Sequence, residues 1–257
     1  MKISEVISIV DRLCPSDLAE EWDNCGWQVN CGDDTVCGIM TTLEITEDTI
    51  KEAEEKSVNL IITHHPMLFN GIKSIDVNTV SGKYIHRLIG CGISVYSCHT
   101  NFDKVSGGNN DYLAKVLELT DVEILEDGYT RTGCLKETMT VSEFADFVRR
   151  KLSLKDRAVR VCGSSEKPVS KAGWCTGAGF DFAKNAADAG CDVFITGDVK
   201  YHEARETAES GGMAVIDAGH YGTEVSFGIN MAEILTDRLP SGMRVFPSEK
   251  IADSFFY

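Results

Sequence analysis

Apolar residues recur at helical spacing in the first positions of the chain. Ile3, Val6, Ile7 and Val10 fall on one face of a helix, and Pro15 predicts where that helix ends. The same spacing, or a capping residue, predicts further helices along the chain. They cover residues 47–56, 79–90, 109–119, 180–188, 201–209 and 224–238, together with a helix that opens at the capping box Thr140–Glu143.

Short apolar runs lie between these helices and predict strands. They cover residues 37–43, 60–63, 93–97, 157–162, 169–176, 192–196 and 213–217, with a hairpin-like region around 122–139. Because strands alternate with helices, the pattern favours an α/β architecture with a largely parallel sheet.

Two blocks of the sequence recur in the same order. Residues 90–103 align without gaps to 211–224, and residues 60–69 resemble 193–202. The identities are few, so chance resemblance is the alternative to an internal duplication. A duplication predicts two similar α/β subdomains, approximately 1–125 and 126–257, and the C-terminal segment can return to the first. Open α/β sheets place ligands at the C-terminal ends of strands, so we expect the functional site at the subdomain interface.

Composition narrows the classes of partner. The chain has 40 acidic residues against 25 basic ones, a formal net charge of −15. Such a chain lacks the basic surface that nucleic-acid backbones require, and an anionic membrane would repel it. Its ten cysteines form no C-x-x-C pair. They indicate reduced thiols in a cytoplasmic protein.

Histidines and carboxylates cluster at the predicted strand ends. Four of the six histidines follow a strand, and two of these have a carboxylate four positions later. The residues concerned are His64, His65, His99, Asp103, His220 and Glu224. Imidazoles and carboxylates together suit divalent first-row metals such as Fe, Zn or Mn.

The number of ligands points to a catalytic centre. His64, His65, Asp103, His220 and Glu224 are five protein ligands, and a carboxylate can bridge two ions. Five ligands cannot saturate two ions, so water or substrate would complete the coordination. The sequence therefore predicts a dinuclear metal site, to which each subdomain gives one acidic residue.

The blocks that carry these residues resemble the Nif-three-like dinuclear metal-centre family, the GTP cyclohydrolase I type 2 homologues. The matching blocks are WDNCG (22–26), ITHHP (62–66), HTNFD (99–103), ITGD (195–198) with Tyr201-His202, and DAGHYGTE (217–224). The resemblance spans nearly the whole chain. It implies that the same five residues hold two divalent ions. It also implies a toroidal homohexamer whose metal centres face the inner cavity.

Other residues in or near these blocks do not have their roles assigned by the resemblance. His99 is not among the usual ligands of the family, so it is either a general acid or base beside the metals or a hydrogen-bonding partner that orients Asp103. Glu44 stands where the family usually has Asp. Trp22 and Asp23 lie in a loop-like block where they could contact a ligand, but we expect Trp22 to pack against the core instead.

The residues support three functional hypotheses to different degrees. The first is a metal-dependent hydrolase that uses a metal-bound hydroxide on a small-molecule substrate, with GTP as the substrate that the resemblance implies. The second is a non-catalytic metal-binding adaptor or metal chaperone presented on a hexameric ring. The third, a DNA-binding ring, is disfavoured by the net charge of −15.

Overall fold

The computed structural model describes residues 1–154 and 159–255, which divide into two compact units. The first unit comprises Met1–Val105 and Val225–Ala252, and the second comprises Ser106–Glu224 and the residues from Asp253 onward.

The division between the units follows Val105 and lies earlier than the boundary expected near residue 125. The reason is that Leu113 and Leu117 are buried in the hydrophobic core of the second unit. The segment Val225–Ala252 returns to the first unit, where Phe227 is part of the core.

The first unit is a sheet with helices around it. Its helices are α1 (Ile3–Leu13), α2 (Glu47–Glu55), α3 (Val80–Gly90), α4 (Thr100–Lys104) and α10 (Phe227–Arg238). Its strands are β1 (Gly26–Val29), β2 (Ile39–Thr42), β3 (Leu60–Thr63), β4 (Ser94–Ser97) and β11 (Val245–Pro247). The strand order is β1-β4-β3-β2-β11. β1 runs antiparallel to β4, and the other neighbours pair in parallel.

Both faces of this sheet are covered, which explains its apolar strands. Leu60 and Ile62 of β3 pack into one hydrophobic cluster, and Ile61 between them packs into another. A strand buried on both sides reads as a continuous apolar run. Helix α1 buries Ile3 and Val6 in the first cluster, as its spacing predicts.

The second unit is also a sheet with helices. Its helices are α5 (Asn109–Val116), α6 (Val141–Lys151), α7 (Ala183–Asp188), α8 (Tyr201–Ser210) and α9 (His220–Glu224). Its strands are β5 (Thr120–Ile124), β6 (Arg131–Thr140), β7 (Arg160–Cys162), β8 (Pro168–Trp174), β9 (Val193–Thr196) and β10 (Ala214–Asp217), in the order β5-β6-β8-β9-β10-β7.

The second sheet is mixed, where the sequence predicted a largely parallel one. β8, β9 and β10 pair in parallel, but β5–β6, β6–β8 and β10–β7 are antiparallel. A hairpin joins β5 to β6, which makes that pair antiparallel, and β7 lies at the far edge of the sheet. The strand predicted at 157–162 is described only from residue 159 onward, and its observed part begins at Arg160.

The long helix predicted at 224–238 is α10, which begins three residues later than predicted, and a separate short helix, α9, precedes it. α9 ends at Glu224 and α10 begins at Phe227. The interruption falls where the chain passes from the second unit to the first, so the two helices serve different cores. The capping box that opens α6 is confirmed, because the Glu143 amide donates to the Thr140 hydroxyl at 3.2 Å and the Thr140 amide donates to the Glu143 carboxylate at 2.8 Å.

The two units repeat the same local frame. In the first, β3 and β4 are parallel neighbours, and the Cys98 amide donates to the Thr63 carbonyl at 2.8 Å. In the second, β9 and β10 are parallel neighbours, and the Ala218 amide donates to the Thr196 carbonyl at 2.8 Å. A short helix comes after each pair, α4 and α9. The predicted fold class, α/β with two similar subdomains, is therefore confirmed.

The structure also describes the state of the cysteines and the length of the helices. All ten cysteines are free thiols. Within the part of the chain that the structure describes, no helix is both long and apolar enough to cross a membrane.

Candidate metal centre

His64 is a fully buried imidazole whose ring is oriented by the backbone. Its Nδ1 lies 2.9 Å from the carbonyl oxygen of Cys98. A carbonyl oxygen only accepts, so Nδ1 carries the hydrogen, and in the neutral ring Nε2 carries the lone pair. A metal-ligating histidine is usually held in this way.

His65 continues the same strand path. The amides of His64 and His65 donate to the carbonyls of Thr42 and Leu43, at 3.2 and 2.8 Å, so the bend that follows β3 is held to the end of β2. The two rings lie side by side, with centroids 5.2 Å apart. Nδ1 of His65 lies 3.7 Å from a carboxylate oxygen of Glu44, which gives that residue a place beside the histidines.

Asp103 approaches the same group from helix α4. This short helix follows β4, and the carboxylate of Asp103 on it is nearly buried. One carboxylate oxygen lies 3.7 Å from Nε2 of His64, the nitrogen that carries the lone pair. The structure thus brings together His64, His65 and Asp103 of the first unit, as predicted.

His99 lies in the same cluster but is held by a different partner than expected. Its ring centroid is 5.0 Å from that of His64 and 5.7 Å from that of His65. Nδ1 of His99 lies 2.8 Å from a carboxylate oxygen of Asp23, so the ring donates to Asp23 and not to Asp103. The expectation that His99 orients Asp103 by a side-chain hydrogen bond is replaced by this pair.

Asp23 is a buried carboxylate surrounded by donors. Its second oxygen accepts hydrogen bonds from the Thr100 amide and hydroxyl and from the Cys25 thiol. Burial acts to raise the pKa of Asp23, but the hydrogen bonds from His99, Thr100 and Cys25 outweigh it and hold that pKa well below its ordinary value. Burial, with the Asp23 carboxylate, raises the pKa of the Cys25 thiol to about 12, so the thiol remains a donor.

In the second unit, His220 and Glu224 lie together at the two ends of α9. Nε2 of His220 is 2.9 Å from a carboxylate oxygen of Glu224. On the other side of the ring, Nδ1 lies 2.7 Å from a carboxylate oxygen of Asp198. Both ring nitrogens therefore face a carboxylate oxygen, and a cation bound at Nε2 would leave Nδ1–H to donate to Asp198.

Asp198 has the backbone of a constrained functional position. Its φ is +56°, in the left-handed region that non-glycine residues seldom adopt. The neighbouring amide of Val199 donates at 3.1 Å to Asp217, a buried carboxylate that also accepts from Arg160. Asp217 therefore anchors the loop that presents Asp198 to His220.

Gly177 gives the Glu224 carboxylate its space. A Cβ built on Gly177 would lie 2.2 Å from a Glu224 oxygen, and the glycine has φ +65°. Its amide donates at 3.0 Å to the Thr223 hydroxyl, which fixes the loop against α9. Only glycine combines this conformation with this close approach.

The donor set of each unit fits a divalent cation. Two ligand atoms, each about 2.1 Å from one ion, lie roughly 3.0–3.6 Å apart for angles between 90° and 120°. The 2.9 Å between His220 and Glu224 lies 0.1 Å below that range, and the 3.7 Å between His64 and Asp103 lies 0.1 Å above it. In both pairs an imidazole Nε2 lies beside a carboxylate oxygen, and a divalent cation can be bound by both atoms. His64, His65 and His99 also offer ligand atoms within 4.8 Å of one another.

Three residues of the site were missed from the sequence. Asp23 and Asp198 stand in the blocks WDNCG and ITGD, but nothing in their spacing shows which histidine each contacts. Gly177 stands in no block, and its signal is a glycine-containing turn directly after an apolar strand. Trp22 was expected in the core, but it is 59% exposed. His202, on α8, is exposed at the surface.

Fold and site together define a class, an α/β protein whose repeated strand ends carry histidines and carboxylates of metal-ligand type. The sequence model of the Duf34/NIF3 family (NGG1p interacting factor 3) matches residues 1–253, and the chain belongs to that family.

Two relatives match this chain over most or nearly all of their length. A Clostridium acetobutylicum protein named GTP cyclohydrolase 1 type 2 homolog is 39% identical over 232 residues, 87% of this chain and 85% of the relative. A Clostridium perfringens protein of the same name is 34% identical over 262 residues, 99% of each chain.

Solved structures agree with this assignment. A crystal structure of a Staphylococcus aureus protein superimposes with a TM-score of 0.94 at 27% identity and covers 100% of this chain and 99% of its own. Reduced HcgD from Methanocaldococcus jannaschii superimposes with a TM-score of 0.81 at 30% identity and covers 97% and 98%.

Proposed function

We propose that this protein is a metal-dependent hydrolase that binds two divalent ions per chain. The observation that carries the proposal is His64, a buried imidazole whose Nδ1–H is fixed by a carbonyl so that Nε2 is directed toward the carboxylate of Asp103. The ligands in this proposal are His64, His65, Asp103, His220 and Glu224. Fe, Zn and Mn all suit this donor set.

Bound divalent metals would lower the pKa of water and polarise a carbonyl, imidazole or phosphoryl group of the substrate. The residues of the chain have separate roles. The ligands position the ions, and their buried carboxylates neutralise part of the added charge. Asp198 fixes the tautomer of His220, and the Cys98 carbonyl fixes that of His64.

His99 has the geometry of a general base. Its Nδ1–H is directed at the buried Asp23 carboxylate, so the neutral ring can accept a proton at Nε2 and the resulting charge is stabilised by Asp23. We expect His99→Gln to retain its metal while turnover falls by about 10²–10⁴-fold. Loss of metal in this variant would instead make His99 a ligand.

The first experiment is metal analysis of protein purified without chelators and without an affinity metal. Two ions per chain support the proposal, and protein that binds no divalent metal, even after reconstitution with Fe, Zn or Mn, refutes it. The same preparation in native mass spectrometry tests the homohexamer that we propose as the assembly.

The substrate that we propose is GTP, with hydrolytic opening of its imidazole ring. The support is the name of the Clostridium relatives, GTP cyclohydrolase 1 type 2 homolog. The test measures loss of purine absorbance on incubation with metal-loaded protein. Absence of metal-dependent turnover would remove the cyclohydrolase assignment.

A second candidate is a non-catalytic metal-binding adaptor or metal chaperone, favoured by the family description as an interacting factor. The variant His65→Ala separates the two. An enzyme loses turnover while its fold and assembly remain, whereas an adaptor binds its partner without turning over any substrate. For either function we propose a cytoplasmic setting, which the ten free thiols support.

A further inference from the structure

Two large aromatic side chains of the first unit are exposed next to its histidine cluster. Trp22 is 59% exposed and Phe69 is 48% exposed. Their ring centroids lie 5.9 Å apart at an interplanar angle of 49°. Aromatic rings of this size normally bury most of their surface, so an exposed adjacent pair indicates a binding function.

The pair is held in place by hydrogen bonds beneath it. The Asn24 side chain donates to the Leu68 carbonyl at 2.6 Å, and the Leu68 amide donates to the side chain of Gln28 at 3.0 Å. Gln28 is buried and in turn donates to the Asn24 carbonyl at 2.7 Å. The segments that carry Trp22 and Phe69 are therefore tied to each other. Because they are already ordered, ligand binding costs less conformational entropy of the protein.

The pair also lies against the histidine proposed as the general base. The ring centroid of His99 is 6.3 Å from that of Trp22 and 6.3 Å from that of Phe69, and His99 stands nearly perpendicular to both rings. Trp22 directly precedes Asp23, the partner of His99. A group that rests on the aromatic pair is thus brought to the edge of the cluster that contains His64 and His65.

The chemistry of this surface selects its ligand. Exposed indole and phenyl faces stack on flat, delocalised rings and offer little to a bare phosphate or an aliphatic chain. The indole N–H of Trp22 has no hydrogen-bond partner among the described residues, so it can donate to a ring nitrogen or carbonyl. Two aromatic side chains present far less than the roughly 800 Å² per partner of a stable protein interface.

We propose that Trp22 and Phe69 form the subsite that stacks on a planar heteroaromatic ring of the substrate and sets its distance from His99. This inference rests on the proposed function for the identity of the reaction, but it concerns binding and is tested separately from turnover.

The test compares GTP, ATP and tripolyphosphate, which has the phosphates but no ring. Binding to the metal-loaded full-length protein is measured by isothermal titration calorimetry. We expect Trp22→Ala to weaken GTP and ATP by about 5- to 100-fold and to leave tripolyphosphate unchanged. Trp22→Phe should retain most of the affinity, and Phe69→Ala should weaken it less than Trp22→Ala.

The matched control is Trp27→Ala. Trp27 is also partly exposed, but its ring packs on Tyr96 with centroids 5.2 Å apart. We expect this variant to bind all three compounds as the wild type does. Circular dichroism and native mass spectrometry of each variant check the fold and the assembly.

Three results would overturn the subsite. They are equal binding of GTP by Trp22→Ala and wild type, a loss that extends equally to tripolyphosphate, and a wild type that binds neither purine nucleotide more tightly than tripolyphosphate. Disassembly of Trp22→Ala would assign the pair to a contact between copies instead. Trp22-dependent binding of GTP without turnover would preserve the subsite and refute the hydrolase.

Discussion

The two units place a histidine at the same point of the same frame and orient it with different carboxylates. His99 comes after β4, and His220 comes after β10, and each directs Nδ1 at an aspartate at 2.8 and 2.7 Å. The partner of His99 is Asp23, whose side chain is fully buried, whereas the partner of His220 is Asp198, whose side chain is 54% exposed.

The difference comes from the two residues directly after the first strand of each pair. In the first unit β3 leads into His64 and His65, and in the second β9 leads into Gly197 and Asp198. Asp198 therefore occupies the position that His65 has in the first unit, and its carboxylate contacts His220 directly. The first unit has a histidine there, so His99 takes its carboxylate from the loop before β1. One frame thus yields a histidine-rich cluster in one unit and a single histidine oriented by a carboxylate in the other.

The largest effect should come from removing the carboxylate of α4 or of α9. We expect Asp103→Asn and Glu224→Gln to weaken metal binding by on the order of 100-fold or more, because each removes a charged ligand without changing its volume. Metal content after dialysis, measured by mass spectrometry, gives the result. Glu118→Gln, a surface carboxylate paired with Lys136 and Lys151, is the control. Full metal content in either ligand variant would exclude that residue from the centre.

A smaller effect should separate the two orienting aspartates. We expect Asp198→Asn to weaken metal binding by about tenfold, because it removes the charge behind a ligand histidine. Asparagine tolerates the left-handed backbone of this position, so the variant isolates the charge. Asp23→Asn should leave metal affinity unchanged, because His99 is not one of the proposed ligands. Equal losses in competition titrations with a chelator would mean that the two histidines have the same role.

The loop that abuts Glu224 can be tested by filling its space. We expect Gly177→Ala to destabilise the protein by about 1–3 kcal/mol because alanine is strained at this positive φ. The added Cβ would also displace the Glu224 carboxylate, and this clash should add to the loss of stability. The control is Gly190→Ala, because Gly190 also has a positive φ, +79°, and no atom lies within 4 Å of the added Cβ. Denaturant unfolding of both variants separates the two contributions. Equal losses would show that the Glu224 contact has no energetic effect.

A further effect is a pH dependence of stability carried by Asp23. Its pKa is lowered in the folded protein, so its stabilisation is complete above about pH 4 and is lost as the pH falls toward the folded-state value. We expect Asp23→Asn to be less stable than the wild type by about 1–3 kcal/mol at pH 7, with a difference that narrows below about pH 4. Denaturant unfolding of metal-stripped protein measures it. A difference that is constant with pH would contradict this origin.

Local sequence was sufficient for most of the elements. The spacing of Ile3, Val6, Ile7 and Val10 predicted α1, and the apolar run 60–63 predicted β3, because periodicity reports directly which faces a segment buries. The sequence predicted the β5–β6 hairpin of the second sheet, but the antiparallel pairings β6–β8 and β10–β7 were not predictable in this way. They depend on which strands become neighbours, and no single segment records that.

The candidate ligands were also readable from the sequence, and their orientation was not. Metal-binding residue types at repeated strand ends identified His64, His65, Asp103, His220 and Glu224, because that pattern is local. Which group holds each imidazole depends on contacts that are distant in the chain. His99 meets Asp23 across 76 positions, and His220 meets Asp198 across 22.

The sequence by itself therefore determined the α/β class, the repeated frame and the residue types of a metal centre, since each is a property of short segments. Only the tertiary structure decided that His99 is hydrogen-bonded to Asp23. It also decided that Gly177 makes room for Glu224 and that Trp22 lies exposed beside Phe69. These are consequences of packing, because burial and hydrogen bonding are settled by neighbours that only the folded chain brings together.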